Sequence, residues 1–355
     1  MKFLPHVRWF SNMTLMTNSN PAVTLTDPER KKTGRKPYFL VSESRNPYDN
    51  LAMERVLTEN VSPGSPVLFL WQNEDTVVIG RNQDARAECR TDRMAAAGVR
   101  LMRRFSGGGA VWHDLGNINF SFCCSDDDYN VHRQTETVLS ACRVLGINAV
   151  QTGRNDLEAE GCKFSGNAYY QVPGAHCQHG TLLVSCCMEK LGEYLTVSPE
   201  KLKKHAVASV RSRVINLSSI NPSVTIPKVC GALHKAFESE YGTAENCFPA
   251  DMDRVKAWAD LLRSEEWIFG RKIPAAQTLR GNFPWGHVTL HLAVNKGIIT
   301  DAQMTTDMLD SETPEKFISK LRGTACLPAP IAAAARAAGG KDFAAGIEQL
   351  VQQIR

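Results

Sequence analysis

The chain has 355 residues, of which 43% are hydrophobic and 22% charged, with 25 glycines and 17 prolines. This composition is typical of a globular protein with one large or two modest domains, and it excludes a peptide, a collagen-like chain and a low-complexity chain. The formal charge is +4, and no apolar run approaches the roughly 20 residues that span a bilayer. We therefore expect neither a nucleic-acid partner nor a membrane partner.

The first 36 residues differ from the rest in charge. They contain seven basic and two acidic residues, a formal +5, which leaves −1 for the other 319 residues. The first 26 residues have no acidic residue, are rich in Ser and Thr, and lack the apolar block of a secretory signal. The pattern predicts a mitochondrial-type leader over residues 1–36 and a mature protein in the mitochondrial matrix. A disordered tail is the alternative.

After the leader, strands alternate with helices. In the first half we predict two apolar strands around a polar turn, a helix that stops at a glycine, a third strand and a second hairpin. These elements cover residues 67–71, 76–80, 85–97, 99–103, 110–112 and 118–122.

In the second half the pattern predicts a helix, two strands, a helix opened by a proline, a clean hairpin and an Ala-rich helix. These elements cover residues 135–145, 162–165, 181–185, 227–242, 288–299 and 331–338. A domain boundary near Arg271 divides a catalytic domain, residues 37–270, from a small C-terminal accessory domain, residues 271–355. The predicted class is α/β with mixed sheets.

The 11 cysteines are an odd number and include no CxxC spacing. A disulfide framework or a zinc site is therefore disfavoured, and we expect most of the thiols to be buried, in a reducing compartment. Cys186 and Cys187 follow an apolar strand and are predicted to be core residues.

The segment 103–114, RRFSGGGAVWHD, carries the strongest chemical signal. Three consecutive glycines between strands suggest that something approaches the backbone closely, and exposed N–H groups with two arginines suit a phosphate or a carboxylate. A flexible loop with two surface arginines is the alternative. No P-loop occurs, and a GxGxxG pattern fails because its last position is Trp112, so a kinase or a Rossmann dehydrogenase is disfavoured.

Three further clusters lie downstream. Lys163 and Ser165 share one face of a strand, where a lysine is either an edge residue or a cation between two anions. His179 opens an apolar strand. The basic stretch 209–214 suits a loop that covers a phosphate, or it is an ordinary solvated run.

Together these residues resemble lipoate-protein ligase in the form that has a small C-terminal domain. The resemblance extends from about Tyr38 through the hairpin 283–300 into the C-terminal helices. It rests on five segments in the family's order: RRFSGGGAVWHDLGNINFSF (103–122), GRNDL (153–157), KFSGNA (163–168), HGTLLV (179–184) and SVRSRVINL (209–217).

The resemblance implies a lipoate/biotin-ligase-like catalytic domain followed by a small α/β domain. It implies that lipoate and ATP, with Mg²⁺, form lipoyl-AMP, and that the lipoyl group then passes to one lysine of a carrier protein. The implied carriers are the lipoyl domains of 2-oxoacid dehydrogenase E2 subunits and the glycine-cleavage H protein.

The resemblance also assigns roles to residues. Lys163 matches the catalytic lysine at the lipoyl carbonyl and phosphate, Asn155 and Asp156 lie near ribose or metal, and Asp156 is the candidate metal ligand. Ser209, Arg211 and Arg213 belong to a loop over the adenylate. The remaining nucleotide- and acyl-binding positions are Arg104, Ser106, Gly107, Gly108, Gly109, Ala110, Val111 and Trp112.

An apolar slot for the acyl tail is predicted from Val77, Val78 and Val111. Phe105 and Asn167 depart from the family's pattern, which bears on the shape of that slot. The sequence around Tyr170 lacks a basic residue found in some forms, which bears on one phosphate contact.

Several other functions share this fold. A lipoyltransferase that uses preformed lipoyl-adenylate stays open, because both activities need the same pocket. An octanoyltransferase acting through cysteine is disfavoured, since residues 196–199 contain no cysteine. A biotin ligase lacks its Gly-Arg-Gly-Arg signature here, and a non-catalytic scaffold would not need Lys163, Arg104 and the glycines.

Overall fold

The computed structural model describes residues 36–153, 155–196 and 214–354. The predicted leader and the predicted covering residues Ser209, Arg211 and Arg213 lie outside the described residues. Among those described, no helix combines the length and hydropathy that a membrane span requires.

The strands form three sheets. They are β1 (Tyr38–Val41), β2 (Val67–Trp71), β3 (Thr76–Ile79), β4 (Arg100–Arg103), β5 (Val111–His113), β6 (Asn117–Ser125), β7 (Ala149–Thr152), β8 (Asp156–Ala159), β9 (Cys162–Val172), β10 (Ala175–Leu183), β11 (Gln277–Phe283), β12 (Gly286–Asn295) and β13 (Ile298–Thr306). The helices are α1 (Pro47–Asn60), α2 (Ala85–Glu88), α3 (Thr91–Ala96), α4 (Val131–Val144), α5 (Glu189–Tyr194), α6 (Leu217–Ile220), α7 (Ile226–Tyr241), α8 (Met252–Arg263), α9 (Glu265–Phe269), α10 (Thr313–Leu321), α11 (Pro328–Ala338) and α12 (Lys341–Leu350), followed by a short 3₁₀ turn, Val351–Gln353.

The largest sheet has seven strands in the order β1-β2-β6-β10-β9-β8-β7. Only β1 and β2 run parallel; the other pairs are antiparallel. All nine residues of β6 are buried, because both faces of the sheet are covered. Leu68 and Leu70 pack toward α4 and α7, whereas Val67, Phe69 and Trp71 belong to the opposite cluster, with α1 and α8.

A second sheet, β4-β3-β5, lies on the α1 side of the large one, and it corrects both hairpins predicted in the first half. β2 pairs with β6 and β3 pairs with β4 and β5, so the chain changes sheet in the polar turn after Trp71 and again after His113. Two apolar strands joined by a polar turn can pair with each other or can lie in different sheets. The local sequence is the same in both cases, and the packing against the rest of the chain decides which one forms.

The predicted helix over 85–97 is also interrupted. It forms the two short helices α2 and α3, because Cys89 bridges to Leu195 and the Arg90 N–H donates to the carbonyl of Tyr194. The predicted stop is confirmed, since Gly98 has a φ of 69°.

The C-terminal unit is a three-stranded sheet, β11-β12-β13, covered by α10, α11 and α12. The predicted hairpin is confirmed: β12 ends at Asn295 and β13 begins at Ile298, and Lys296 and Gly297 both have positive φ. This unit contacts the rest of the chain through an Arg81–Glu315 ion pair of 2.8 Å and a hydrogen bond from the Thr306 N–H to the Asn82 carbonyl.

Candidate active site

A cavity of about 210 Å³ lies between the two sheets of the larger unit. Its floor includes Trp71 and Thr181 from the seven-stranded sheet, and its roof includes Val78 and Val111 from the three-stranded one. Leu309 from the C-terminal unit closes part of the mouth. The cavity is therefore a slot between two sheets, with apolar side chains along much of its wall.

The glycine loop forms one side of this cavity through Gly108 and Gly109. Gly108 has a φ of 90°, which favours glycine. A Cβ on Gly107 would lie 2.3 Å from the carbonyl oxygens of Leu309 and Met308. A close approach to the glycine loop, which the sequence predicts, is therefore made at Gly107 by the C-terminal unit.

Arg104 is buried beneath this loop and holds its shape. Its Nη2 donates to the carbonyls of Gly107 at 2.5 Å and Gly109 at 2.9 Å, and its Nε donates to Ser106 Oγ at 3.0 Å. Burial lowers the Arg104 pKa to about 10, so the guanidinium stays charged at neutral pH. Its positive charge reaches the cavity, while most of its N–H groups are bound inside the protein.

Arg103 is likewise engaged within the protein rather than presented to an anion. It is 6% exposed, and its guanidinium donates to backbone carbonyls that include those of Gly80, Gln83 and Ile268. The expected pair of arginines facing an anion is therefore reduced to the charge of Arg104.

Lys163 supplies a second cation at the cavity wall. It lies on β9, half-buried, with Nζ 2.7 Å from Asp156 Oδ1 on the neighbouring β8. Asn155 fixes the preceding turn, since its Nδ2 donates to the Asn167 carbonyl at 3.0 Å and Asn167 donates back to the Asn155 carbonyl. Unlike the arginines, Lys163 carries its charge on a flexible stem and bonds to a side chain rather than to the backbone.

A chain of buried polar groups, for which no sequence motif was recognised, supports the loop from below. Ser106 Oγ lies 2.7 Å from His179 Nε2, and His179 Nδ1 lies 2.9 Å from Glu54 Oε2. The order resembles a hydrolase triad, but Ser106 is fully buried and accepts a hydrogen bond from Arg104, so it cannot meet a substrate. The available signal was Glu54, a charged residue on the same helix face as the apolar residues Leu51 and Leu57 of α1.

His113 is a second residue to which sequence reasoning gave no role. It lines the cavity, it is 3% exposed, and its Nδ1 lies 3.1 Å from Asn73 Nδ2. Burial lowers its pKa to about 3, so the ring is neutral.

The structure brings together most of the sequence-predicted site residues. Ser106 and Gly107 support the cavity from outside, and Asp156 reaches it through Lys163. The predicted residues that line the cavity directly are Arg104, Gly108, Gly109, Ala110, Val111, Asn155 and Lys163.

Two predicted positions point elsewhere. Trp112 lies in a separate cluster, where its ring stacks on Tyr194 at 5.6 Å and its Nε1 donates to Asp114. Val77 belongs to the same cluster. Because successive side chains of a strand face opposite sides, Val111 and Val78 face the cavity while their neighbours Trp112 and Val77 cannot.

The departures from the family pattern fall in two places. Asn167 lines the cavity, so it does bear on the shape of the slot. Phe105 and Tyr170 instead line a second cavity of about 410 Å³, where the Arg55 guanidinium lies 4.9 Å from the Phe105 ring centroid.

The cysteines stay outside the first cavity. Cys186 is buried as predicted, but Cys187 is exposed and its Sγ lies near Glu189, so that part of the prediction is wrong. All cysteines of the described part are free, and burial raises the pKa of Cys89 and of Cys142 to about 12.

Comparison with known proteins gives two family matches. A model of the lipoyl protein ligase A/B catalytic domain matches residues 46–238, and one of the bacterial lipoate protein ligase C-terminus matches residues 276–350.

Similar solved structures include P. falciparum LipL1 in complex with lipoate, with a TM-score of 0.76 and 27% identity over 89% of this chain and 99% of that one. A bipartite lipoate protein ligase from Thermoplasma acidophilum, reported together with its E2 lipoyl domain, has a TM-score of 0.59 and 30% identity over 68% and 99%. Lipoate-protein ligase A bound with ATP has 0.56 and 28% over 66% and 99%.

Proposed function

The chain belongs to the lipoate-protein ligase family, and on that premise we propose that it activates lipoate with ATP and transfers the lipoyl group to a lysine of a carrier protein. The predicted fold class is confirmed: mixed sheets form a ligase-like catalytic domain, and a small sheet domain follows it. The observation that carries the proposal is a cavity between two sheets whose lining combines apolar side chains with the cation Lys163.

The first step joins two anions. A carboxylate oxygen of lipoate attacks the α-phosphorus of ATP, lipoyl-AMP forms and pyrophosphate leaves. Charge that is fixed in place before the reaction is usually the largest single contribution to catalysis. Lys163 Nζ can bridge the carboxylate and the phosphate. Arg104 adds its positive charge, and its hydrogen bonds hold the carbonyls of Gly107 and Gly109 toward its own guanidinium and away from the anions.

The acyl tail then lies in the slot. Val78, Met102 and Val111 offer it apolar surface, and burial there excludes water from an adenylate that water would hydrolyse. In the second step the amine of the acceptor lysine attacks the acyl carbonyl, an amide forms and AMP leaves.

Magnesium enters this scheme with the nucleotide. Mg²⁺ prefers carboxylate, phosphate and water oxygens, and Asp156 offers one carboxylate beside the cavity, already paired with Lys163. One cluster of possible metal ligands occurs among the described residues, and it consists of Glu54, Cys177 and His179. All three residues are buried and one ligand is a thiol, so the cluster does not suit Mg²⁺. We therefore treat Mg-ATP as the substrate and assign no resident ion.

The proposed acceptors are lipoyl domains of E2 subunits and the glycine-cleavage H protein. Support comes from the Thermoplasma ligase, which is reported together with its E2 lipoyl domain. We further propose that the protein acts in the mitochondrial matrix, from the charge pattern of residues 1–36. N-terminal sequencing of protein from a purified mitochondrial fraction tests this. A chain that begins at Met1 and stays in the cytosolic fraction contradicts it.

A second candidate is transfer from preformed lipoyl-adenylate without activation. One contact favours it: the Gly108 N–H donates to the Met308 carbonyl at 2.9 Å, so this N–H is occupied by the C-terminal unit rather than open to a triphosphate. The two candidates share the second step and differ only in the first.

Pyrophosphate release separates them. Purified protein with lipoate and Mg-ATP should release pyrophosphate and lipoylate an apo lipoyl domain. Lys163→Ala should abolish both, whereas Lys235→Ala, an exposed lysine on α7, should behave as wild type. No pyrophosphate but full transfer from added lipoyl-adenylate would establish the transferase, and wild-type turnover by Lys163→Ala would refute the site.

A further inference from the structure

His113 carries a buried polar atom without a partner in the wall of the active-site cavity. Its Nε2 makes no hydrogen bond with any described residue. Buried polar atoms of native proteins are almost always paired, so an unpaired one in a ligand cavity points to the ligand.

The hydrogen-bond network decides which ring nitrogen holds the proton. Asn50 Nδ2 donates to the backbone carbonyls of Ser44 and Gln72, which can only accept, so the orientation of the Asn50 amide is fixed. The same Nδ2 lies 3.0 Å from Asn73 Oδ1, so its two protons are shared among three acceptors. With the Asn73 amide reversed, two NH2 groups would face each other, and Asn73 Nδ2 is therefore the group that points toward His113.

His113 Nδ1 therefore accepts a hydrogen bond. Because the buried ring is neutral, it holds a single proton, and that proton is on Nε2. The cavity wall thus contains an N–H donor that no described group satisfies.

This donor lies on the β2 side of the cavity, away from Lys163 on β9. His113 packs beside Trp71 of β2, with 5.9 Å between ring centroids, whereas Lys163 lies against Gly166 of β9. Three strand steps separate β2 from β9 in the sheet, a distance of about 14 Å. A ligand whose carboxylate is at Lys163 therefore brings the far end of its tail toward His113.

Arg104 and His179 act electrostatically on the His113 ring, but much of the cavity wall on this side is apolar. Leu51, Val78 and Met102 line the cavity and belong to one apolar cluster with Trp71. A plain hydrocarbon tail fills this end without satisfying His113, whereas the dithiolane ring of lipoate places two sulfur atoms there, and sulfur is a weak hydrogen-bond acceptor.

We propose that His113 Nε2 donates a hydrogen bond to a dithiolane sulfur and is thereby a specificity-determining residue that separates lipoate from fatty acids of equal chain length. The inference rests on the proposed function and deepens it. Asn73 and Asn50 act as positioning residues, since they set the tautomer of the ring.

Two variants of His113 test this. His113→Asn keeps an acceptor near the Nδ1 position for Asn73 but does not reach the cavity, and His113→Gln places an amide N–H near the Nε2 position. Calorimetric titration with lipoate or octanoate, without nucleotide, gives the ratio of the two dissociation constants. We expect wild type to favour lipoate roughly tenfold, the Gln variant to keep most of that preference and the Asn variant to lose it. An unchanged ratio in the Asn variant overturns the inference.

A measurement on the wild-type protein removes any dependence on how the variants fold. Two-bond ¹H–¹⁵N spectra distinguish histidine tautomers, and the Asn variant identifies the His113 signal. We expect the Nε2–H tautomer, with the proton resonance moving downfield on addition of lipoate and not of octanoate. An Nδ1–H tautomer, or equal shifts with both acids, refutes the inference.

The two proposals fail in different ways. If wild type binds neither acid, the proposed function is wrong and this inference is wrong with it. If wild type binds both acids and releases pyrophosphate while the Asn variant keeps the wild-type ratio, only the inference is wrong.

Discussion

Replacing Glu54 tests whether the buried chain beneath the glycine loop stabilises the catalytic domain. Glu54 is fully buried, and its carboxylate accepts hydrogen bonds from His179 Nδ1 and from Ser121 Oγ. In Glu54→Ala both donors lose their acceptor in a region without water access, and the Arg104 guanidinium loses the negative charge that raises its pKa. Removing one partner of such a buried charged network costs about 3–5 kcal/mol.

Glu54→Gln is the matched control. The amide oxygen can still accept from His179 Nδ1, and the amide nitrogen can donate to Ser121 Oγ. Ser121 already accepts from Trp71 Nε1, so its own hydroxyl proton loses a partner. One lost hydrogen bond costs about 1 kcal/mol, so the Gln variant should lie between wild type and the Ala variant.

Urea unfolding, followed by tryptophan fluorescence and by far-UV circular dichroism, gives the free energies of unfolding of the three proteins. The order wild type, Gln, Ala is expected, with the largest step between Gln and Ala. If Glu54→Gln and Glu54→Ala lower the free energy of unfolding by equal amounts, the charge of Glu54 rather than its hydrogen bonds stabilises the domain. A loss below about 1 kcal/mol in the Ala variant would refute the reasoning.

Three further outcomes are expected. Gly107→Ala should weaken the contact with Leu309 by about 1–3 kcal/mol, because the added Cβ would lie 2.3 Å from the Leu309 carbonyl oxygen; faster proteolysis between the two units checks this. Gly166→Ala should lower kcat for adenylate formation roughly tenfold with an unchanged melting temperature, because its Cβ would lie 3.0 Å from Lys163 Nζ and displace the amine. Burial lowers the pKa of His113 from 6.5 to about 3, so the unfolded chain binds this proton at higher pH than the folded one. The contribution of His113 to the free energy of unfolding is therefore fully present above about pH 6.5, and it decreases by up to about 1.4 kcal/mol per pH unit as the pH falls toward 3. Urea unfolding at several pH values should show this slope for wild type and not for His113→Asn.

The alternation of side chains along strands was available from the sequence and predicts part of the site. It places Val111 and His113 on one face of β5 and Trp112 on the other, which the structure confirms. The match to the family's motif nevertheless placed Trp112 at the ligand. A motif match identifies the strand that borders the cavity. The alternation of side chains along that strand then determines which of its residues face the cavity.

The hairpins show the limit of local pattern. Residues 67–71 and 76–79 are both apolar and buried and flank a polar turn, yet they belong to different sheets. Their partners, β6 and β4, lie farther along the chain. The pairing partner of each strand depends on how α1 and the second sheet pack against the large sheet. The residues that determine this packing are spread over the whole chain.

By itself, the sequence determined the family, the class of fold, the glycine loop and the presence of Lys163 beside it, because each depends on residue types in short segments. The tertiary structure alone decided that Arg104 stabilises the loop from within, that Glu54 and His179 support it, and that His113 Nε2 has no hydrogen-bond partner among the described residues. The physical reason is that a polar side chain has several possible partners, and which of its donors and acceptors remain unsatisfied follows only from the groups that the fold places around it.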